Sequence, residues 1–416
     1  MRVSPRLNPT PDDVVITGCG VCCNLGDDLA LIRERLRTGS GEPFSLYEPA
    51  QRLGGRCQII GAYRGDLSGE VLEASKAQLR FMGRASKMAL RAARTAIAQA
   101  KCDVKDAGVF VGSGTGDVEA HQEIAAKLEG DAGMRKVSPT VVPRIMSSTV
   151  SANLATVLEA RGPSCTLTAA CAGGAYNMVM GALLIRARAI DTAIVGGVES
   201  ADPHFFAGFD AMAAYNRDDN ERPERASRPY AADRAGFVFS EGAGILVIER
   251  RSSAELRNAT IIGTLLGFGM SSDGTGQMVR PASEGGLRAM QAALKNAGIG
   301  PSAIDYVNTH ATSTPAGDIE EVRGMRQLFS DRHVAYSSTK GYTGHTISGA
   351  GAIEAIFTAD MLQHEYLAPC LHATPLEPEL VAYPPVVEPT QVRAKVALSN
   401  SFGFGGTNVA LVLGRA

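Results

Sequence analysis

Apolar and polar positions along the chain alternate between two periods. Short apolar, β-branched runs recur at 14–17, 108–112, 166–170, 192–196, 243–249, 260–267, 305–308, 335–338, 395–399 and 408–413, as strands buried on both faces do. Between them, apolar residues spaced three and four apart predict helices over 28–38, 86–100, 147–158, 285–297, 318–329 and 350–363. The first strand reads as ending in a glycine turn at Gly18, residues 39–70 as irregular, and residues 1–11, rich in Pro and polar side chains, as a flexible arm. Strands alternating with helices predict α/β layers. No Pro/Ser linker or low-complexity segment divides the chain, so it reads as one compact body.

Composition removes several classes. The 416 residues are 45% hydrophobic and 20% charged, with a formal net charge of −2. That balance gives no global pull toward nucleic acid or a membrane surface. No run approaches membrane-spanning length, and the first ten residues lack the apolar core of a signal peptide. Eight cysteines in this length do not make a disulfide framework, and the cytoplasm is the expected compartment. Cys19, Cys22 and Cys23 cluster without a second ligand pair at zinc spacing, and read as small buried residues beside the first strand.

Candidate chemistry begins at Cys171. An apolar lead-in over 166–170 reaches small residues, then the cysteine, then a small-residue helical pattern. This reads as strand, sharp turn and helix, with the thiol at a helix N-terminus that favours thiolate. His310 and His345 each follow an extended run and sit among small and hydroxyl residues. A cysteine with two histidines at strand ends points to nucleophilic acyl chemistry. The Gly112-Ser-Gly-Thr-Gly116 run lacks the spacing of a dinucleotide loop. His121, His204, His333, His364 and His372 fall outside any motif.

In order and spacing, the segments around Val14, Gly112, Cys171, Glu199, Ser227, Gly236, His310, Lys340–His345 and Asn400–Asn408 resemble the β-ketoacyl synthases of the elongating, Cys-His-His type. The resemblance runs from about Val14 to Leu413. It implies a thiolase-like α/β fold, with two similar halves in a five-layered α-β-α-β-α arrangement. The halves are 12–256, carrying the cysteine, and 257–416, carrying both histidines. The implied reaction is the decarboxylative condensation of an acyl thioester on Cys171 with malonyl-acyl carrier protein. By the same resemblance, His310 and His345 serve decarboxylation, Lys340 supports the site electrostatically, and Glu321 anchors it by hydrogen bonding. Phe404 supplies an oxyanion donor and a gate, Thr312 and Thr314 bond the phosphopantetheine arm, and Thr115 and Phe209 line the acyl pocket. No redox cofactor and no catalytic metal is implied, since phosphopantetheine arrives on the carrier protein. A cytoplasmic homodimer is implied, with no nucleic-acid or membrane partner.

Two features of the family carry two readings each. Lys76, Arg80 and Arg84 are spaced to share one helix face, with Arg135 and Lys136 nearby in the family's arrangement. They are a docking surface for an acidic carrier protein or a solvated face. Asn308, Glu354, Ser399 and Asn400 match a monovalent-cation site or form a buried hydrogen-bond network. Asp318 reads as a structural helix-start residue. The chain departs from the family pattern at Ala311, where Gly is usual, and at Ala172, where a hydroxyl residue is more common. Acyl length and pathway are not legible. Rival readings are a thiolase, an initiating synthase, a non-catalytic chain-length-factor subunit, and a synthase-like acyltransferase forming esters or amides. Cys171 argues against the non-catalytic subunit, and the two histidines argue for condensation.

Overall fold

The computed structural model describes residues 9–41, 43–130, 133–330 and 332–416. Its main sheet has ten strands: β1 (Val14–Cys23), β2 (Gly108–Gly112), β3 (Ser164–Cys165), β4 (Thr192–Glu199), β5 (Gly242–Arg250), β6 (Gly263–Ser272), β7 (Tyr306–Asn308), β8 (Ala335–Ser337), β9 (Val396–Gly403) and β10 (Thr407–Arg415). Their order is β8-β7-β9-β10-β6-β1-β5-β4-β2-β3. Counted outward from the centre, one half runs 1-5-4-2-3 and the other repeats that order with β6 in the place of β1. The parallel and antiparallel pairings repeat as well: β2 is parallel to β3 and β4, as β7 is to β8 and β9. The halves meet where Val14–Ile16 pairs antiparallel with Gly263–Leu265.

The helices that position the site are α1 (Arg84–Ala100), α2 (Thr149–Val157), α3 (Gly173–Arg186), α4 (Pro203–Ala211), α5 (Ser283–Ala297), α6 (Gly317–Phe329) and α7 (Ala350–His364). α1 and α2 cover one outer face, α5 and α6 the other, and α3 with α7 fill the space between the two half-sheets. This gives the five layers. Alternate strand residues point to different layers: Val109 and Val111 face α1 and α2, while Phe110 faces the middle. In the other half Val307 and Leu398 face outward, and Ala397 and Val409 face the middle. Strands buried on both faces explain the unbroken apolar runs. Helix α7 is buried at every residue from Ala350 to Leu362, so its apolar character runs all the way round.

Three local expectations are corrected. The first strand does not stop at a glycine turn but continues to Cys23. Gly18 and Gly20 serve close approach instead: a Cβ on either would lie 2.0 Å from Ala96 O or 1.9 Å from Ala92 O, both on α1. The lead-in at 166–170 is not a strand, since β3 ends at Cys165. Residues 39–70, read as irregular, contain a short ribbon pairing Ser45–Leu46 with Ile59–Ile60. Of the arm at 1–11, residues 1–8 lie outside the described residues. Its end is held, with the Ser252 N–H donating to Pro11 O at 3.0 Å. Among the described residues, no helix is long and apolar enough to cross a membrane.

Candidate active site

The turn into α3 is built by a side chain that the sequence reading did not single out. Asn177, on the first turns of α3, accepts from Leu167 N at 3.0 Å and donates to Leu167 O at 3.0 Å and Gly173 O at 2.8 Å. Its amide takes the place of a strand partner for the lead-in, which is why no ladder forms there. Ala170 then adopts a left-handed conformation with φ 45°, a strained geometry for a residue with a side chain. Cys171 follows, and α3 begins at Gly173 with Ala172 as its cap. The signal was the short polar side chain six residues after the cysteine, facing back along its helix.

Cys171 is 6% exposed and lies at the inner end of a cavity of about 440 Å³. Burial pushes its thiol up to about 12, although the Lys340 ammonium pulls the other way. Burial thus favours the neutral thiol over the expected thiolate, against the pull of Lys340. His345 Nε2 lies 3.0 Å from Cys171 Sγ. The other His345 nitrogen, Nδ1, is buried without a hydrogen-bond partner among the described residues, so no neighbour fixes the tautomer. His310 packs edge-on against His345 with ring centroids 5.3 Å apart. The cysteine sulfur and a nitrogen from each ring lie within 4.8 Å of one another. Burial first, and Lys340 second, hold both imidazoles well below their ordinary pKa, hence neutral. A metal ion on these three atoms would sit beside the same ammonium, which opposes it.

Lys340 is 1% exposed and pairs with Glu354. Its Nζ lies 3.5 Å from His310 Nδ1, which favours the proton on Nε2, facing the cavity. Glu321 accepts from the backbone N–H groups of His310 and Ala311, and from Asn400 Nδ2, each at 2.9 Å. Burial pushes its carboxyl up to about 7, and that of Glu354 likewise. Asp318 accepts from Tyr230 N at 3.0 Å and Thr314 N at 3.2 Å and faces Arg234, a structural brace at the start of α6. Ala311 is 2% exposed and lines the cavity with its methyl in place.

Phe404 stands at the cavity wall, 38% exposed, with its ring 6.1 Å from Phe209. The backbone N–H groups of Phe404 and Cys171 both bear on the sulfur. This approach needs Gly403, where a Cβ would lie 3.1 Å from Cys171 N. Thr312 and Thr314 line the cavity with their hydroxyls 3.2 Å apart, and Phe209 lines it from α4. Thr115 does not line the cavity of this chain: its hydroxyl donates to buried Glu199 at 2.9 Å. Phe237, Met212, Ile347 and Phe402 complete the apolar wall and were not singled out in sequence, because nothing local distinguishes them from core residues.

The basic stripe is not one helix face. A one-turn helix at Lys76–Leu79 ends before Gly83, and Arg84 opens α1. Arg84 turns to Glu241, with contacts of 2.6 and 2.7 Å, and to Tyr63 O. Lys76, Arg80, Arg135 and Lys136 are exposed. Behind the histidines, Asn308 Oδ1, Glu354 Oε2, Ser399 Oγ and Asn400 Oδ1 are all buried without a hydrogen-bond partner among the described residues. Asn308 and Ser399 are register partners on β7 and β9, and Asn308 Nδ2 reaches the Glu354 carbonyl at 3.4 Å. Asn308, Glu354 and Ser399 share the middle layer, and their three orphaned oxygens suit a hard cation, whereas Asn400 faces the outer layer, where its Nδ2 donates to Glu321.

Residues 11–254 match the family described as β-ketoacyl synthase, N-terminal domain, and residues 262–374 match its C-terminal domain. The 3-oxoacyl-[acyl-carrier-protein] synthase 1 of Escherichia coli (strain K12) is 36% identical over 406 residues, spanning 96% of this chain and 98% of that protein. A β-ketoacyl synthase from Burkholderia phymatum STM815 has a similar crystal structure, with a TM-score of 0.90 at 30% identity, covering 97% of this chain and 99% of that one. The ishigamide ketosynthase/chain length factor is similar at a TM-score of 0.88 and 26% identity, covering 97% and 99%.

Proposed function

The chain belongs to the β-ketoacyl synthase family, and from that premise we propose how its residues divide the reaction. The protein is an acyltransferase that condenses an acyl thioester with malonyl-acyl carrier protein, releasing carbon dioxide and a β-ketoacyl-acyl carrier protein, in fatty acid or polyketide synthesis. In our reading Cys171 holds the acyl group. The neutral thiol gives its proton to His345 Nε2, 3.0 Å away, as the sulfur attacks the incoming thioester carbonyl. The N–H groups of Cys171 and Phe404 receive the oxyanion, and the carrier-protein thiol leaves with the proton. The malonyl thioester then enters. The bond to its carboxylate carbon breaks, releasing carbon dioxide, and the electron pair builds an enolate. The enolate oxygen accepts from Nε2–H of His310, and from His345 once that ring has moved its proton from Nδ1 to Nε2, a change of tautomer that no described partner of Nδ1 opposes. Both rings are neutral, so each can donate without first losing a charge. The enolate carbon attacks the acyl carbonyl, and the Cys171 thiolate departs and takes one proton from solvent, which balances the carboxylate charge lost with carbon dioxide.

Lys340 and Glu321 act by position, one on His310 Nδ1 and one on the His310 backbone. Thr312 and Thr314 bond the pantetheine arm, and Phe209 and Phe404 bound the acyl group. We read residues 12–256 and 257–416 as the two halves of this machine, working as a homodimer in the cytoplasm without a redox cofactor or catalytic metal. Of the four residues that match a monovalent-cation site, Asn308, Glu354 and Ser399 would supply side-chain oxygens to the ion, and Asn400 would brace Glu321 behind it. Exposed Lys76, Arg80, Arg135 and Lys136 would meet the acidic carrier protein, with Arg84 contributing from its Glu241 pair.

The observation that carries this reading is the sulfur-to-imidazole contact at the closed end of an apolar cavity. Intact mass spectrometry after incubation with an acyl-carrier-protein thioester tests it. The wild-type chain should gain one acyl mass and Cys171→Ala none, with its circular dichroism unchanged. A retained mass gain on that variant overturns the assignment. Loading from the carrier protein should slow as salt rises, and loading from a pantetheine thioester should not.

A further inference from the structure

One cation on the wall of the cavity is unused by the reaction as written. Arg280 is the one guanidinium or ammonium group among the described residues that line the cavity. It is exposed, and it makes no hydrogen bond or ion pair with any described residue. The acids on the same wall are engaged. Asp273 accepts from Asn408 Nδ2 at 2.7 Å, Glu320 from Arg323 at 2.6 Å, and Glu321 holds the His310 backbone. Arg280 is also placed by its backbone. Pro281 follows it, which restricts it to extended conformations. Two residues before it, Met278 O accepts from Gly405 N at 2.7 Å, and Asp273 N donates to Gly406 O at 3.0 Å. The stretch leading into Arg280 is thus fastened at two points, Asp273 and Met278, to the segment that carries Phe404.

We propose that Arg280 is a phosphate-binding residue that takes the anionic end of the pantetheine arm. The inference rests on the reading above, which puts the thioester sulfur at Cys171. An extended arm with its sulfur at the buried end of the cavity has its far end at the open side. The phosphate is the arm's charged group and lies at that far end. The exposed lining residues Met278, Val279 and Arg280 form part of that side. Asp273 and Glu320 would repel an entering anion, and the unpaired guanidinium offsets them. Its planar fork offers two parallel N–H donors to phosphate oxygens, a geometry that a lysine does not reproduce.

The test compares acyl-phosphopantetheine with acyl-pantetheine, which differ in the phosphate alone. Wild-type protein should load Cys171 from the phosphorylated donor with a KM about three- to tenfold lower than from the other, the range of an exposed charge-assisted contact. Arg280→Ala should remove that preference by raising the KM of the phosphorylated donor alone, with the maximal loading rate unchanged. Arg280→Lys should restore part of it. Both variants change an exposed side chain with no partner, so their thermal midpoints should match the parent. Equal wild-type KM values for the two donors overturn the inference while leaving Cys171 as the acyl carrier. So does an equal loss on both donors in Arg280→Ala. If neither donor loads the wild-type chain, the reading of the site fails, and this inference fails with it.

Discussion

The two half-sheets share one strand order and spend it on different chemistry. After the second strand of the first half, β2, the chain runs into Ser113 and Thr115; after its counterpart β7 it runs into His310. After the third strand, β3, it reaches Cys171; after the counterpart β8 it reaches Lys340 and His345. Each half also sets a buried carboxylate against the segment that follows its second strand. Glu199 accepts from Ser113 Oγ at 2.8 Å, Gly114 N at 2.9 Å and Thr115 Oγ1 at 2.9 Å. Glu321 accepts from His310 N and Ala311 N. The scaffold thus supplies two such strand ends in each half, and the segments that follow three of them bring Cys171, His310 and His345 to one cavity. Which side chain stands there decides whether an end carries a nucleophile, a donor or a purely structural loop.

The sharpest break of this comparison separates the covalent step of the first half from the decarboxylation of the second. His310→Ala should retain acyl loading on Cys171, because His345 keeps the sulfur contact. It should lose carbon dioxide release from malonyl carrier protein by about 10²–10³-fold, the usual cost of one oxyanion donor. His345→Ala should lose both, since it serves both halves. Release at the parental rate by either variant sinks the assignment.

A second test separates the two buried carboxylates. The Glu321 carboxyl is pushed from its ordinary 4.5 up to about 7 by burial. The native state therefore binds the proton more tightly than the unfolded chain. Its contribution to stability is fully present below about pH 4.5 and is lost as pH rises through about 7. Glu321→Gln removes that dependence. Relative to the variant, the parent should lose up to about 3 kcal/mol between pH 4 and pH 8, read from denaturant midpoints. A pH-independent difference between the two proteins would show that Glu321 does not titrate in this way.

The smallest effect concerns the orphaned oxygens of the second half, which contrast with the well-donated Glu199. Potassium chloride should raise the thermal midpoint by a few degrees over choline chloride at equal ionic strength, since a bound ion stabilises the native state by mass action. Ser399→Ala should shrink that difference. Identical midpoints in the two salts would leave the oxygens of Asn308, Glu354 and Ser399 as an unfilled polar pocket.

Periodicity alone placed most of the strands and helices, because apolar spacing reports burial directly. It did so for α1, whose one apolar face carries Met88, Ala92 and Ala96, and for strands buried on both faces such as β2. The three reactive side chains were legible because each stands in a local run of small and hydroxyl residues. What lay beyond the sequence depends on neighbours distant in the chain. Gly18 and Gly20 look like a turn until α1 packs onto them, and a glycine pattern does not distinguish tight bending from close approach. Arg84 joins a basic stripe by spacing, but Glu241, 157 residues away, claims its guanidinium. The helix end next to Cys171 suggests a thiolate, whereas the depth of burial, which no local pattern reports, favours the neutral thiol. Sequence determined which groups are present and which segments are regular. Tertiary structure decided their charge, their partners and the direction each one faces, because desolvation and long-range contact have no local signature.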